Sequence, residues 1–226
     1  MLVELRVFML YSSHMIITYH GAEFFKVSFG DLTLAFNPIS KNSKLKQTRF
    51  GADIAFVTAE HPDFTGIDQV SHGEKEPFVI RGPGEYEVRD VVIKGFQTTT
   101  EYGGTERINT AYLITFDKML LLFLGALSTK ELPKGLQESL DKIDILFIPI
   151  GGDGVLSPQK AYELAISIEP KIIIPIHHTD VGEPNALKLF LKEEGTSSDG
   201  PKPVSKLTVK NKDIEEKQNE IVVFSS

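Results

Sequence analysis

The first half of the chain alternates short apolar runs with turn residues. The runs cover residues 16–19, 24–29, 33–36, 54–57, 78–80 and 91–96, and Gly21, Gly30 and Pro38 lie in the gaps between them. Runs of this length, bounded by such residues, predict β-strands joined by turns. After the polar stretch 101–107 a second set begins with residues 111–116 and 119–124. The chain therefore divides into two similar halves.

The clearest unit of the second half is a β-α-β crossover. Residues 144–150 and 171–176 are typical of buried strands, and between them Ser157 and Pro158 fit the N-cap and first position of a helix whose apolar spacing continues over 161–168. Such a crossover joins parallel strands. Farther on, the pattern predicts a helix over 185–194, a loop rich in Gly, Ser and Pro over 195–203, and a closing hairpin of 206–209 and 220–224.

Strands from both halves, with helices outside them, indicate an α/β fold in which two sheets face each other between helical layers, a four-layer αββα sandwich. We expect a single domain over residues 15–226. Residues 1–14 are apolar but short, carry Glu4 and Arg6, and lack a small-residue cleavage site, so they fit neither a membrane span nor a signal peptide. Strand-like sequence restarts at Met15. We therefore interpret residues 1–14 as an N-terminal extension and Met15 as a candidate natural start.

The amino-acid composition limits which metal sites and which binding partners are expected. The chain has no cysteine, which excludes disulfides and thiolate metal sites, so a zinc-like ion would need the six histidines and carboxylates. With 24 Lys and Arg against 31 Asp and Glu, the net charge of −7 opposes binding to nucleic acid or to an anionic membrane. We expect a cytoplasmic protein that takes a small-molecule ligand, if any. No feature predicts its oligomeric state.

The candidate functional residues lie in the loop 58–64, which follows the apolar strand 52–57. Open α/β folds keep their functional groups at the carboxyl ends of strands, and this loop carries His61 and Asp63. The alternative is structural: His61 before Pro62 stiffens a turn, and Asp63 caps a short helix. Two glycine-rich segments, 82–85 and 151–154, lack the ending of a phosphate-binding loop and predict tight turns.

Several short motifs are characteristic in their order and spacing. They are residues 17–21, Asn37-Pro38, the strand and loop 52–64, and residues 82–88, 124–125, 149–152 and 174–177. Together they resemble the metallo-β-lactamase superfamily, specifically its small bacterial and archaeal branch similar to the ascorbate-6-phosphate lactonases. The likeness runs from about residue 16 to residue 224, and it implies the same αββα sandwich.

The resemblance also implies two metal ions and about seven protein ligands. In this sequence three of the expected ligands are present, namely His61, Asp63 and His177. The other positions hold residues without imidazole or carboxylate groups: Ala59, Phe64, one of Thr98 to Thr100, and Ala126. By this mapping one metal keeps only His61, and the other keeps Asp63 and His177.

A catalytic zinc normally takes three protein ligands and one water, so neither position is complete. His178 could serve as a third ligand only if the strand ends between the two histidines, because adjacent strand residues point to opposite faces. The apolar side chains of Ala59, Phe64 and Ala126 are expected to fill the pocket. A buried, metal-free Asp63 needs a partner, and we expect that partner to be His61 or His177.

These residues favour a hydrolase homologue with a largely degenerate dinuclear metal site, non-catalytic or of residual activity, that binds a small ligand or a protein and needs no cofactor. The alternative is an active metal-dependent hydrolase of a small phosphoester or lactone, with one zinc or manganese ion held by Asp63 and His177 and with Asp63 as its catalytic group. A third interpretation is a structural subunit that dimerises through a sheet edge or helix face. The fold alone does not choose among them.

Overall fold

The computed structural model describes residues 14–73, 76–195 and 200–225, and its strands form two mixed β-sheets. Within these residues the first sheet has six strands: β1 (Met15–Tyr19), β2 (Phe25–Phe29), β3 (Leu32–Phe36), β4 (Ile54–Val57), β5 (Phe78–Arg81) and β12 (Leu207–Val209). Their order is β12-β1-β2-β3-β4-β5. Neighbours are antiparallel from β12 to β3 and parallel from β3 to β5.

The second sheet, over the same described ranges, has seven strands: β6 (Gly84–Val88), β7 (Val91–Thr100), β8 (Arg107–Phe116), β9 (Met119–Phe123), β10 (Ile145–Pro149), β11 (Ile172–Ile176) and β13 (Glu220–Ile221). Their order is β13-β11-β10-β9-β8-β7-β6. The strands from β13 to β9 are parallel, and those from β9 to β6 are antiparallel.

The main core lies between the sheets, where inward-facing side chains from both of them meet. At its centre the ring of Phe36 stacks on Phe56 in its own sheet and on Phe123 in the other, each with 4.7 Å between centroids. Each stacked pair adds about 0.5–1.5 kcal/mol to the stabilisation from burial alone. The aromatic residues of the early and middle strands therefore join the two halves.

Helices and loops cover the outer faces. The helices are α1 (Lys134–Gln137), α2 (Pro158–Ile168), α3 (Ala186–Glu193) and α4 (Asn211–Ile214), with a 3₁₀ helix at Ile67–Gln69. Residues Leu164 of α2 and Phe190 of α3 pack on Ile148 and Ile173, which point away from the central core. A smaller cluster that includes Ile39 and Val70 covers the first sheet. The predicted αββα sandwich is confirmed.

The predicted crossover is also confirmed. Strands β10 and β11 pair in parallel over their full length, and α2 connects them. The Ser157 hydroxyl accepts a hydrogen bond from the Lys160 amide at 3.5 Å, and Pro158 is the first helical residue. The helix predicted over 185–194 is α3.

Two local predictions are wrong. Residues 206–209 and 220–224 do not form a hairpin, because β12 pairs with β1 in the first sheet and β13 pairs with β11 in the second. The intervening segment, which contains α4, carries the chain from one sheet to the other. Residues 84–88, of which the first two were assigned to a turn, form the edge strand β6. Charged side chains at Glu85 and Glu87 protect an exposed edge from pairing with other chains. They alternate with Tyr86 and Val88, which is the pattern of a half-exposed strand.

No helix within the described residues is long and apolar enough to cross a membrane. The extension predicted at residues 1–14 lies outside the described residues, apart from His14.

Candidate functional site

Five loops converge at one edge of the sandwich. They are the turn between β1 and β2, the loop after β3, the loop after β4, the turn between β7 and β8, and the segment after β11. The last three place His61, Tyr102 and His177 in ring contact. The centroid of the Tyr102 ring lies 4.7 Å from that of His61 and 4.6 Å from that of His177. With Asp63, these residues are called the tyrosine cluster below.

The carboxylate of Asp63 is held by two hydroxyl groups. Its Oδ2 atom accepts a hydrogen bond from the Tyr102 hydroxyl at 2.7 Å, and its Oδ1 atom accepts one from Ser43. Nδ1 of His61 lies 3.5 Å from Oδ2 and accepts the Asp63 backbone N–H at 3.2 Å. His61, one of the two histidines expected as the partner, thus lies near Asp63, but its Nδ1 atom accepts a backbone hydrogen bond and does not donate to the carboxylate. The stronger partners are Tyr102 and Ser43, which were not anticipated.

The interpretation of Asp63 as a helix cap is wrong. Residues 62–64 form a turn, and the next helix is the 3₁₀ helix at Ile67–Gln69. Its N-cap residue is Gly66, and no side chain caps it. The Asp63 carboxylate is directed at Tyr102 and Ser43 instead.

Burial and the neighbouring carboxylate keep the phenol of Tyr102 protonated. Burial raises the pKa of Tyr102 well above its usual value, and the hydrogen bond to Asp63 raises that pKa further. Burial also lowers the pKa of His61, against the opposing effect of Asp63. The Tyr102 hydroxyl therefore stays protonated at neutral pH and is the donor in its hydrogen bond to Asp63.

His177 belongs to a buried polar network. Its side chain is 0% exposed, and its Nδ1 atom lies 2.6 Å from Oε1 of Glu23, which is also fully buried. The amide of Asn37 donates to the other oxygen of Glu23 at 2.6 Å, and its carbonyl accepts the Thr58 backbone N–H at 2.9 Å. Nε2 of His177 has no hydrogen-bond partner within the described residues. A carboxylate thus orients an imidazole whose second nitrogen is unpaired.

The apolar residues at the expected ligand positions pack together. Ala59, Phe64 and Ala126 form one buried cluster with Val155, and Tyr102 packs against it. The Phe64 ring lies 5.5 Å from that of Tyr102 and 5.7 Å from that of His61. Phe64 therefore lies beside His61 and Tyr102, and Ala126 packs in the same apolar cluster.

The three threonines where a later histidine was expected have structural partners. Thr98 donates to the Asn109 carbonyl at 3.1 Å, and the Thr99 carbonyl accepts a hydrogen bond from the Ser128 hydroxyl at 3.1 Å. The Thr100 hydroxyl accepts the Tyr102 backbone N–H at 3.1 Å, which fixes the start of the turn that carries Tyr102. This segment thus positions Tyr102 in the cluster.

His178 does not join the cluster. Strand β11 ends at Ile176, and His177 has a left-handed backbone with φ 59°. Both ring nitrogens of His178 are engaged in its own turn, Nε2 at 3.2 Å from the Pro175 carbonyl and Nδ1 at 2.8 Å from the Thr179 hydroxyl. Burial lowers the pKa of His178 to about 4, so its ring is neutral. The extra ligand considered for the second metal position is therefore used elsewhere.

Sequence reasoning missed Glu23, Asn37, Ser43 and Tyr102 as members of this site. Glu23 carried a usable signal, because a carboxylate within the apolar run 22–25 must be buried with a partner. Nothing in the polar stretch 101–107 distinguishes Tyr102 from a surface residue. Within the described ranges, no group of three or more His, Asp or Glu side chains is arranged to hold a metal ion.

Comparison with known families agrees with this architecture. A family model described as a β-lactamase superfamily domain matches residues 16–177, which is more than half of the chain. The chain belongs to the metallo-β-lactamase superfamily.

Two curated relatives carry the UPF0173 family name. The chain is 25% identical over 193 residues to a UPF0173 metal-dependent hydrolase of Lysinibacillus sphaericus, with 72% of this chain and 84% of that protein covered. It is 30% identical over 113 residues to a UPF0173 protein of Pyrococcus abyssi, with 50% of each covered. The second alignment thus spans half of that relative.

Solved structures share the fold. A metallo-β-lactamase superfamily protein from Thermotoga maritima superposes with a TM-score of 0.71 at 24% identity, with 93% of this chain and 98% of that chain covered. A metallo hydrolase from Ignicoccus hospitalis gives 0.60 at 18% identity, with 87% and 99% covered. At these identities the comparison establishes the fold alone.

Proposed function

We propose that this chain is a metallo-β-lactamase-fold protein in which a hydrogen-bonded tyrosine cluster replaces the dinuclear metal centre. In this proposal it does not hydrolyse substrates at that position and acts as a binding module for a small molecule. The observation that carries the proposal is the position of Tyr102. Its hydroxyl binds Asp63 at 2.7 Å, and its ring contacts both His61 and His177.

The remaining donors fit a dinuclear centre poorly. A catalytic zinc takes three protein ligands, whereas the family mapping leaves His61 alone at one position and Asp63 with His177 at the other. Phe64 and Ala126 supply apolar atoms where further ligands are expected, and both are fully buried. Asp63 already accepts two hydroxyl donors, and the Tyr102 ring lies against both His61 and His177, so a cation would compete with Tyr102 for this position.

A second candidate is a hydrolase of a small phosphoester or lactone that uses one zinc or manganese ion. It is supported by the unpaired Nε2 atom of His177 and by the carboxylate of Glu23 on its Nδ1 atom, because metal-binding histidines commonly donate their other ring N–H to a carboxylate. A relative from Lysinibacillus sphaericus is named a metal-dependent hydrolase, which is the general class of this candidate. In this case Asp63 and His177 would hold the ion, and the ion would compete with Tyr102 for the space between them.

Thermal unfolding with zinc or manganese separates the two candidates. A ligand that binds only the folded state stabilises it by about 2.7 kcal/mol at a hundredfold excess over its dissociation constant. The proposal predicts no stabilisation in the wild type. A rise in Tm that disappears in His177→Ala, but remains in the exposed-histidine control His72→Ala, would establish the one-metal alternative. His177→Gln repeats the test if the alanine variant does not fold.

A further inference from the structure

A cavity of about 190 Å³ opens beside the tyrosine cluster and is distinct from it. Its walls include Tyr19, His20, Ile39, Lys46, Thr48 and Asp180. The volume corresponds to about six water molecules at about 30 Å³ each. The cavity therefore suits a small molecule rather than a peptide or nucleic acid.

Three segments form the cavity, and each is bonded to the site described above. The turn after β1 supplies Glu23, which binds His177 at 2.6 Å. The loop after β3 supplies Ser43, which donates to Asp63. The segment after β11 begins with His177 itself, whose backbone N–H donates to the Ala22 carbonyl at 3.0 Å. The closed cluster thus fixes the loops that shape the cavity, and a preformed cavity lowers the ordering cost of binding.

The cavity wall carries one side chain of each charge. Lys46 and Asp180 are both exposed at the cavity, and no salt bridge within the described part of the chain engages either of them. Oδ2 of Asp180 lies 3.4 Å from both the Tyr19 hydroxyl and the Ala22 backbone N–H, which keeps the carboxylate at the wall. A ligand with a single negative charge would be repelled by Asp180, and a ligand with a single positive charge would be repelled by Lys46.

The backbone conformation at position 21 of this wall favours glycine. Gly21 has φ +106°, and an added Cβ atom would lie 3.3 Å from Oδ2 of Asp180. Burial lowers the pKa of His20 to about 4, so the imidazole at the wall is neutral at physiological pH. The hydroxyl groups of Tyr19 and Thr48 complete a wall that can form hydrogen bonds.

We propose that this cavity binds a small zwitterion, whose ammonium group pairs with Asp180 and whose carboxylate pairs with Lys46. The inference deepens the binding role proposed above and rests on it. The apolar contact with Ile39 and the neutral groups of His20, Tyr19 and Thr48 would surround the part of the ligand between its two charges.

Titration of ¹⁵N-labelled full-length protein with glycine, β-alanine and 4-aminobutyrate, followed by NMR, tests the proposal. Acetate and ethylammonium are matched probes with a single charge. We expect at least one zwitterion to shift the amides of Gly21, Lys46 and Asp180 in a saturable way, and to bind about tenfold or more tightly than either single-charge probe. Lys46→Met and Asp180→Asn should each weaken binding by a similar factor.

Lys44→Met, an exposed lysine of the same loop, and Asp141→Asn, an exposed acid elsewhere, are the controls, and both should bind like the wild type. Failure of all three zwitterions to bind, equal binding of a single-charge probe, or equal weakening by the control variants would overturn the zwitterion site. These results leave the proposed replacement of the metal centre standing. Stabilisation by zinc that depends on His177 would instead overturn that replacement, whatever the cavity binds.

Discussion

Removing one oxygen atom, in Tyr102→Phe, should destabilise the protein measurably. The ring and its contacts with His61 and His177 remain, whereas the 2.7 Å hydrogen bond to Asp63 is lost. Oδ2 of Asp63 then keeps only His61 Nδ1 at 3.5 Å, which is too long for a good hydrogen bond.

The expected loss follows from the burial and charge of Asp63. This residue is 8% exposed, and a hydrogen bond to a charged group contributes about 1.5–3 kcal/mol. For a chain of this size each kcal/mol corresponds to about 2–4 °C in Tm. The Tyr102→Phe variant should therefore unfold about 3–12 °C below the wild type.

Thermal and urea unfolding at pH 7 are the assays. The matched control is Tyr162→Phe, because the half-buried Tyr162 ring packs on Phe190 in the α2–α3 layer. The control should lie within about 0.5 kcal/mol of the wild type. Asp63→Asn should also be destabilised between pH 5 and 8. In the double variant, the two losses should fall short of additivity by about 1 kcal/mol or more. A Tyr102→Phe protein as stable as the control, or strictly additive losses, would refute the tyrosine cluster as a stabilising unit.

Three other substitutions probe the surrounding structure. Burial lowers the pKa of His20 from 6.5 in the unfolded chain to about 4 in the folded protein, so the stability that its neutral ring provides is present above pH 6.5 and is lost as the pH falls to 4. In urea unfolding at pH 6.5 and pH 4, the free energy of unfolding of His20→Gln should therefore fall by about 1–2 kcal/mol less than that of the wild type, a figure reduced for partial exposure. An equal fall in both proteins would contradict this assignment. Glu23→Gln removes the charge that orients His177 and should cost about 2 kcal/mol or more in urea unfolding, so wild-type stability would show that this network is dispensable. Gly125→Ala places a Cβ atom 2.6 Å from that of Thr58 at φ +59° and should cost about 2–5 kcal/mol by calorimetry, whereas an unchanged Tm would indicate that the turn can move.

Local patterns along the chain predicted most of the fold. The apolar run 54–57 is a strand with those bounds, and Ser157 with Pro158 marks the start of α2. Both signals depend on residues near in sequence. The closing hairpin failed because the partners of β12 and β13 are strands of different sheets far away in the chain, and three-residue and two-residue strands carry almost no periodic signal.

The candidate site was predictable only in part, for a similar reason. His61, Asp63 and His177 follow strands and keep family positions, so their place could be anticipated. Tyr102 comes from a turn 39 residues after Asp63, and Ser43 lies 20 residues before it. Such contacts depend on how loops fold over the end of the sandwich, which local apolar spacing does not encode. The buried Glu23 was the exception, because its apolar neighbours in residues 22–25 required a partner.

The most direct measurement of the central claim is the metal-to-protein ratio of full-length protein purified without chelator, determined by plasma mass spectrometry after equilibration with zinc or manganese. The same measurement on Tyr102→Gly, which removes the phenol from Asp63, tests whether Tyr102 itself prevents metal binding. The account predicts that the wild type holds far less than one metal ion per chain. One or two tightly held ions per wild-type chain, lost in His177→Ala, would contradict it.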